Sequence, residues 1–192
     1  MITNRTLSHA TLVLTSLAGL ALSACADVAP PPAPSAAMES ASLSRSESAL
    51  GQDVRQDLAA LRQVTARYHR PEAAAADGWS AQITPCMTDP AGMGGMGFHY
   101  GNMTFIARAE PRVEEPELLL YEPEANGRMK LVAVEYIVPL SAWTSSQPPR
   151  LFDRDFRVNE AFQVWALHAW VWKENPSGMF ADWNPTVSCP AA

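Results

Sequence analysis

The chain has 192 residues, a formal net charge of −6 and only two lysines, Lys130 and Lys173. This acidic balance lacks the basic stripe with which proteins bind nucleic acid, so nucleic acid is excluded as an expected partner. The sequence also lacks glycine-rich phosphate loops, the G-x-S-x-G elbow and the H-E-x-x-H pair, which are the usual motifs of nucleotide use, serine esterases and zincin proteases.

The first predicted element is an export signal. Arg5 precedes an apolar run, Ala10–Leu22, that has the length and character of a signal-peptide core. The run is shorter than the roughly 20 apolar residues that a membrane-spanning helix needs. The last residue of the run begins the segment Leu22-Ser23-Ala24-Cys25, which resembles the lipobox of bacterial lipoproteins.

The lipobox resemblance implies that residues 1–24 are removed and that Cys25 is lipidated. The membrane is then a partner through this lipid, and two or more acyl chains make such anchoring effectively permanent. In enteric lipoproteins an Asp after the cysteine favours the inner membrane; here Ala26 follows, which favours the outer membrane and its periplasmic face. A plain secretory signal and a marginal membrane helix are the alternatives.

The next segment, residues 25–49, is predicted to be a disordered tether. It combines four prolines with many alanines and serines and has almost no large apolar side chains, so burial cannot offset the entropy of ordering it. A weak helix from Ser40 to Leu50 is the alternative. Residues 50–192 then suffice for one ordinary domain, and no second domain is indicated.

Two helices are predicted at the start of this domain. Apolar residues recur every three to four positions from Val54 to Tyr68, with polar residues between them, which indicates an amphipathic helix. Pro71 can open a short second helix through Ala76, and Gly78 suits the position after its end.

Extended segments dominate the rest of the domain. Residues 116–121 and 128–138 flank a turn that ends in Asn126-Gly127, which is typical of a β-hairpin. Residues 161–172 are dense in aromatic side chains and are interpreted as a third strand, with a helix as the alternative. The residues expected on one face of this strand are Phe162, Val164, Ala166, His168, Trp170 and Trp172. The predicted class is α+β, an antiparallel sheet or partial barrel with the N-terminal helices packed on it.

Two cysteines remain once Cys25 is assigned to lipid. Both Cys86 and Cys189 would lie in an oxidising compartment, so a disulfide between them is predicted. It would tie the C-terminal tail to the first part of the sheet. A thiolate metal site or a redox pair is the alternative, although the spacing is neither CxxC nor that of a structural zinc site.

Three residues are candidate metal ligands. Glu135 alternates with four apolar residues between Met129 and Ile137, so its carboxyl group would lie on an apolar face and would need a partner or a metal. His168 lies among aromatic residues, and His99 follows several glycines that let the backbone approach another group closely. Two histidines and one carboxylate are the ligand set of non-haem iron sites and of some zinc or manganese sites.

Other uses of these three residues stay open. Glu135 can pair with an arginine while His168 stacks on Trp170 or bonds a carbonyl and His99 is exposed. The same groups can also serve acid–base chemistry without a metal.

Four methionines near His99 are a second set of candidate ligands, and their soft sulfur atoms, together with His99, would suit a copper carrier. Methionine also fills irregular gaps in cores, so packing is the competing interpretation. The methionines in question are Met87, Met93, Met96 and Met103.

The C-terminal run, residues 175–185, combines turn residues with anchoring aromatics. It is predicted to fold as a covering loop over the sheet, held by Cys189. A packed tail without a ligand is the favoured interpretation, and a loop that closes a pocket is the alternative.

Three segments, Gly95–Tyr100, Leu131–Pro139 and Leu167–Trp172, together resemble a family of exported, uncharacterised bacterial proteins. The likeness spans roughly Tyr68 to Cys189 and implies an exported single domain with no assigned catalytic residue. The sequence therefore predicts a lipid-anchored periplasmic module with a binding or envelope-associated role. The alternative is a metal-binding protein or metalloenzyme that uses iron, zinc, manganese or copper, and the protein or small-molecule partner stays open.

Overall fold

A computed structural model describes residues 36–190 of the chain. The predicted signal peptide, the lipidation site Cys25 and the first part of the predicted tether lie outside these residues. Within the described range, no helix is both long and apolar enough to cross a membrane.

The first helix, α1 (Ala36–Ser48), lies where the sequence predicts a disordered tether. Two ion pairs hold it against the domain: Lys130 Nζ lies 3.1 Å from a carboxylate oxygen of Glu39, and Arg62 pairs with Glu47. Tertiary contacts therefore order a segment whose composition alone favours disorder, and a helix replaces this part of the expected tether.

The two helices predicted at the start of the domain are confirmed. Helix α2 (Gln52–Thr65) continues as a 3-10 turn, Ala66–His69, and α3 (Pro71–Ala76) begins at its proline. Gly78 follows α3 with a φ of +111°, a conformation that glycine adopts without strain. A further short helix, α4 (Met103–Arg108), lies between the second and third strands.

The strands of the described residues form one large sheet and one small pair. The large sheet has six strands in the order β1-β2-β3-β4-β8-β7, all neighbours are antiparallel, and the sheet curls into a half-barrel. The predicted α+β class is therefore confirmed. The strands are β1 (Ala81–Thr88), β2 (Gly95–Gly101), β3 (Leu118–Pro123), β4 (Met129–Pro139), β5 (Arg150–Leu151), β6 (Arg154–Asp155), β7 (Arg157–Asn159) and β8 (Val164–Ala169).

The predicted hairpin and the predicted third strand are both present. Strands β3 and β4 pair across a turn that contains Gly127, and β8 pairs with β4 along its whole length. The third strand is shorter than residues 161–172, because the chain leaves the sheet after Ala169. The expected single face consequently breaks down at Trp172, which packs into the core on the other side of the sheet.

The sheet carries a hydrophobic core on each face. On one side, the helix-side core, Leu58 and Leu61 of α2 pack with sheet residues such as Tyr136. On the opposite side, here named the far face, a second core includes Leu120 and Trp170 and contains no residue of the N-terminal helices. The candidate ligands lie on this far face.

A β-bulge decides which residues share the far face with Glu135. The pairing of β3 with β4 skips one residue of β4, Val132, so the alternation of side chains changes phase there. Met129 and Leu131 contact the helix-side core, whereas Ala133 belongs to the far-face core. The expectation that Glu135 shares a face with Met129 and Leu131 is wrong. It assumes that every second residue of the strand lies on the same face, and the bulge breaks this alternation.

The predicted disulfide is present. Cys86 of β1 is bonded to Cys189, and their Cα atoms lie 5.7 Å apart. It attaches the C-terminal tail to the edge strand of the sheet, as the sequence predicts.

The disulfide is expected to contribute strongly to stability. The double variant Cys86→Ser/Cys189→Ser should lose about 2–5 kcal/mol of unfolding free energy, because the bond closes a long loop in the unfolded chain. Urea unfolding of the variant beside the parent protein measures this loss. Reductant added to the parent should reproduce the loss, and an unchanged unfolding midpoint in both would contradict the prediction.

A buried carboxyl group, Glu117, lies just before β3 and has no exposed surface. Its Oε2 accepts a hydrogen bond from the backbone N–H of Ile137 at 3.3 Å, and its Oε1 has no hydrogen-bond partner among the described residues. Burial raises the pKa of Glu117 to about 8. The backbone N–H groups of Glu117 and Ile137 and the charge of Arg108 act in the opposite direction. The folded protein therefore keeps this group largely protonated at neutral pH.

Glu117 should make the protein less stable as the pH rises. Its pKa is raised on folding, so the favourable contribution is complete below the ordinary value near 4.5 and is lost as the pH rises toward about 8. Glu117→Gln keeps a carbonyl acceptor for Ile137 but cannot ionise. Unfolding free energies measured at about pH 5 and about pH 8 should fall more steeply for the parent than for the variant, by an amount on the order of a few kcal/mol. Equal slopes for both proteins would rule the effect out.

Candidate metal site

The three predicted ligands come from three strands of the large sheet and meet on its far face. His99 lies on β2, Glu135 on β4 and His168 on β8. Glu135 is the direct cross-strand partner of His168, whereas β3 lies between His99 and Glu135. Cross-strand partners project to the same side of a sheet, and the curl of the sheet brings the more distant His99 toward them.

The ligand atoms of these residues lie close together. His99 Nε2 is 3.4 Å from Glu135 Oε2, and His168 Nε2 is 3.6 Å from Glu135 Oε1. One donor atom from each of the three residues lies within 4.8 Å of the other two. All three side chains are buried, with exposed fractions of 3% for His99, 6% for Glu135 and 2% for His168.

His99 is held in one orientation by a neighbouring strand. Its Nδ1 lies 2.8 Å from the hydroxyl of Thr84 on β1. Burial lowers the pKa of His99 to about 3, and the nearby His168 acts in the same direction. The imidazole is therefore neutral, and when Nδ1–H donates to Thr84 the lone pair of Nε2 points toward Glu135.

His168 lies between two carboxylates. Its Nδ1 is 3.6 Å from Asp182 Oδ1, and its Nε2 faces Glu135. Neither ring nitrogen makes a hydrogen bond within residues 36–190. Burial lowers the pKa of His168, but the charges of Glu135 and Asp182 outweigh it and raise the pKa above the ordinary histidine value.

Glu135 has no arginine partner among the described residues; its ion-pair contacts are with the two histidines. Burial raises the pKa of Glu135, and His168 opposes that rise. The alternative interpretation of the sequence is thus wrong for Glu135 and for His99, which is not exposed. It is correct for His168 in one respect, since the His168 ring stacks on Trp170 with 6.5 Å between ring centroids.

The C-terminal run folds back on the sheet as the predicted covering loop, but none of its residues lines the cavity that His99 lines, so it does not close that pocket. Trp170 donates its backbone N–H to the Met179 carbonyl and its indole N–H to the Ala181 carbonyl, at 2.9 and 2.7 Å. Farther along, the backbones of Asn184 and Gly95 exchange two hydrogen bonds of 3.0 Å. A side chain at Gly94, the preceding residue, would collide with the Asn184 carbonyl, so the docking of this loop requires a glycine there.

Two further residues of the site were not predicted from the sequence. Asp182 reaches His168 from the covering loop, and contact with His168 lowers the pKa of Asp182. Thr84 reaches His99 from β1. Asp182 is the only acidic residue in the loop, which is a usable signal, whereas nothing in the sequence distinguishes Thr84 from other threonines.

The methionines proposed as copper ligands do not converge as a set. Met87 and Met96 line a cavity together with His99. Met93 and Met103 are 55% and 56% exposed and lie outside the lining of that cavity.

The separations between Glu135 and the two histidines suit a metal ion better than a direct hydrogen bond, whereas the widest donor separation of the set, up to 4.8 Å, requires the side chains to move closer together when the ion binds. Separations of 3.4 and 3.6 Å are long for hydrogen bonds between charged groups. Two ligands bound about 2.1 Å from a tetrahedral metal lie about 3.4 Å apart.

Comparisons with known proteins found no matching family model, no matching curated protein and no matching solved structure. The resemblance to a family of exported bacterial proteins therefore stays a prediction. The geometry of the site is therefore the basis of the function proposed below.

Proposed function

We propose that this protein is a lipid-anchored envelope protein that binds one divalent transition metal through His99, Glu135 and His168. The observation that carries the proposal concerns His168, a buried histidine whose ring nitrogens have no hydrogen-bond partner within residues 36–190 and whose Nε2 faces a buried carboxylate. A buried polar group of this kind normally has a partner, and a metal ion would supply one to all three side chains at once.

The ligand chemistry narrows the choice of metal. Two imidazoles and one carboxylate suit zinc, iron or manganese, whereas magnesium and calcium prefer oxygen ligands. Three protein donors leave at least one coordination position open, which is the arrangement of sites that bind a water molecule or a substrate on the metal. The proposal therefore combines the metal site with the binding role that the sequence predicts.

The partners of the two histidines support the same assignment. Histidine ligands commonly donate their second ring N–H to a carboxylate or another acceptor, which fixes the tautomer and the ring orientation. Thr84 occupies that position for His99 at 2.8 Å, and the carboxylate of Asp182 faces the second ring nitrogen of His168 at 3.6 Å. Both Nε2 atoms then remain available to the metal.

The proposed location at the outer membrane rests on the lipobox resemblance alone. Lipid on Cys25 would hold the protein at the outer membrane, with residues 36–190 in the periplasm. A metal site in that compartment draws on envelope metal ions rather than on the cytoplasmic pool.

Metal content is the first test of the proposal. The full chain, expressed in a bacterial host and purified in detergent without chelator or metal resin, should contain about one metal ion per chain by elemental mass spectrometry. His99→Ala/His168→Ala should lose at least about nine-tenths of it, because only Glu135 would remain. The matched control is His69→Ala, since His69 contacts the Trp172 ring in an edge-to-face arrangement away from the site.

Two results would count against this assignment. If the parent protein binds no zinc, iron, manganese or copper even after reconstitution, the metal site is absent. If copper alone binds, and Met87→Leu/Met96→Leu removes it while the histidine variant retains it, the soft-ligand interpretation replaces this one.

Asp182 is expected to strengthen zinc binding through its contact with His168 without binding the metal itself. Asp182→Asn should weaken zinc binding by about 10- to 100-fold, because a neutral amide orients and polarises His168 less than a carboxylate does. Competition with a chromophoric zinc chelator measures the affinity. Asp153→Asn, at an exposed aspartate outside the site, is the control, and equal affinities of the two variants would exclude a role for Asp182.

A further inference from the structure

A cavity of about 150 Å³ opens beside the candidate metal site on the far face. His99, Glu135 and Thr84 line one part of it, and hydrophobic side chains form most of the remaining wall. His168 does not line the cavity, so a molecule there approaches the metal from the side of His99 and Glu135.

The size of the cavity limits the occupant to about one ring. An apolar cavity of about 150 Å³ in another protein accepts benzene. The cavity here has the same volume, and its hydrophobic wall residues include Met96, Ile137, Val164 and Phe162. A nucleotide, a peptide or a multi-ring compound is too large for it.

The polar groups of the cavity indicate how the occupant is held. Apart from the metal site, the polar lining residue is Asn159, whose Oδ1 already accepts the backbone N–H of Phe162 at 3.3 Å. No lysine or arginine is among the described residues that line the cavity, so only the metal can pair with an anionic group. A divalent metal with Glu135 as its one anionic ligand keeps a net positive charge, which favours an anionic oxygen donor.

Two of the hydrophobic side chains that line the cavity are exposed to solvent. Phe162 is 51% exposed and Ile83 is 40% exposed. Exposed hydrophobic side chains at a cavity are typical of binding sites for apolar molecules.

On the basis of the proposed function, we infer that this cavity binds a small monocyclic molecule whose single anionic oxygen group, a carboxylate or a phenolate, ligates the metal. The ring fills the space beneath Phe162 and Val164. The oxygen takes the coordination position that the three protein ligands leave open.

Cobalt substitution tests this inference, with benzoate and acetate as probes. The full chain is loaded with Co²⁺, whose visible absorption reports changes in its ligands, and each acid is titrated in. Benzoate should shift the spectrum at a concentration at least about tenfold lower than acetate, because only benzoate buries a ring. Benzene alone should leave the spectrum unchanged.

Variants of the cavity wall test whether benzoate occupies the cavity, independently of metal binding. Phe162→Ala should weaken benzoate binding about fivefold, and Val164→Phe should abolish it by filling the cavity. Cobalt content should stay at the parent level in both variants, and the response to acetate should stay at that level in Phe162→Ala. Met103→Ala removes an exposed hydrophobic side chain outside the lining and should behave as the parent does.

The outcomes distinguish this inference from the proposed function. If the parent binds no cobalt, the metal site itself fails. If cobalt binds but benzoate is no better a ligand than acetate, or if the wall variants leave benzoate binding unchanged, the metal site stands and the cavity is not its ligand pocket.

Discussion

The carboxyl group of Glu135 lies on the central strand β4, nearly without contact to water, and the far face of the sheet is arranged around it. An ionised carboxylate in such a place needs a compensating charge, and the chain supplies no arginine or lysine there among the described residues. It supplies two histidines instead, one of them neutral and one without a hydrogen bond. A metal ion, as proposed above, would satisfy all three groups with one charge.

The tail of the chain completes this arrangement from the far end of the sequence. The Cys86–Cys189 bond attaches the C-terminal segment to β1, and the contact between Gly95 and Asn184 attaches it to the start of β2. The covering loop then places Asp182 against His168. The disulfide thus contributes to stability and also keeps the carboxylate that orients a candidate ligand near its histidine.

Sequence patterns were reliable where contacts are local and less so where distant segments meet. The helix after Val54 and the turn at Gly127 follow from periodicity and from residues with restricted conformations, and both are present. The irregular segment expected before residue 50 is helical from Ala36 to Ser48, because Glu39 and Glu47 find basic partners far along the chain. The face shared by Met129 and Glu135 was predicted wrongly, since a bulge changes the phase of a strand without a sequence marker.

The sequence by itself determined the α+β class, the cysteine pair and the identity of three candidate ligands, because residue type, spacing and redox setting are local properties. Only the tertiary structure decided that His99, Glu135 and His168 meet, since they come from three strands and their convergence depends on strand order and on the curl of the sheet. The same applies to Asp182 and to the cavity beside the site. Their neighbours are set by how the chain folds back, and a linear sequence carries no distance between its distant parts.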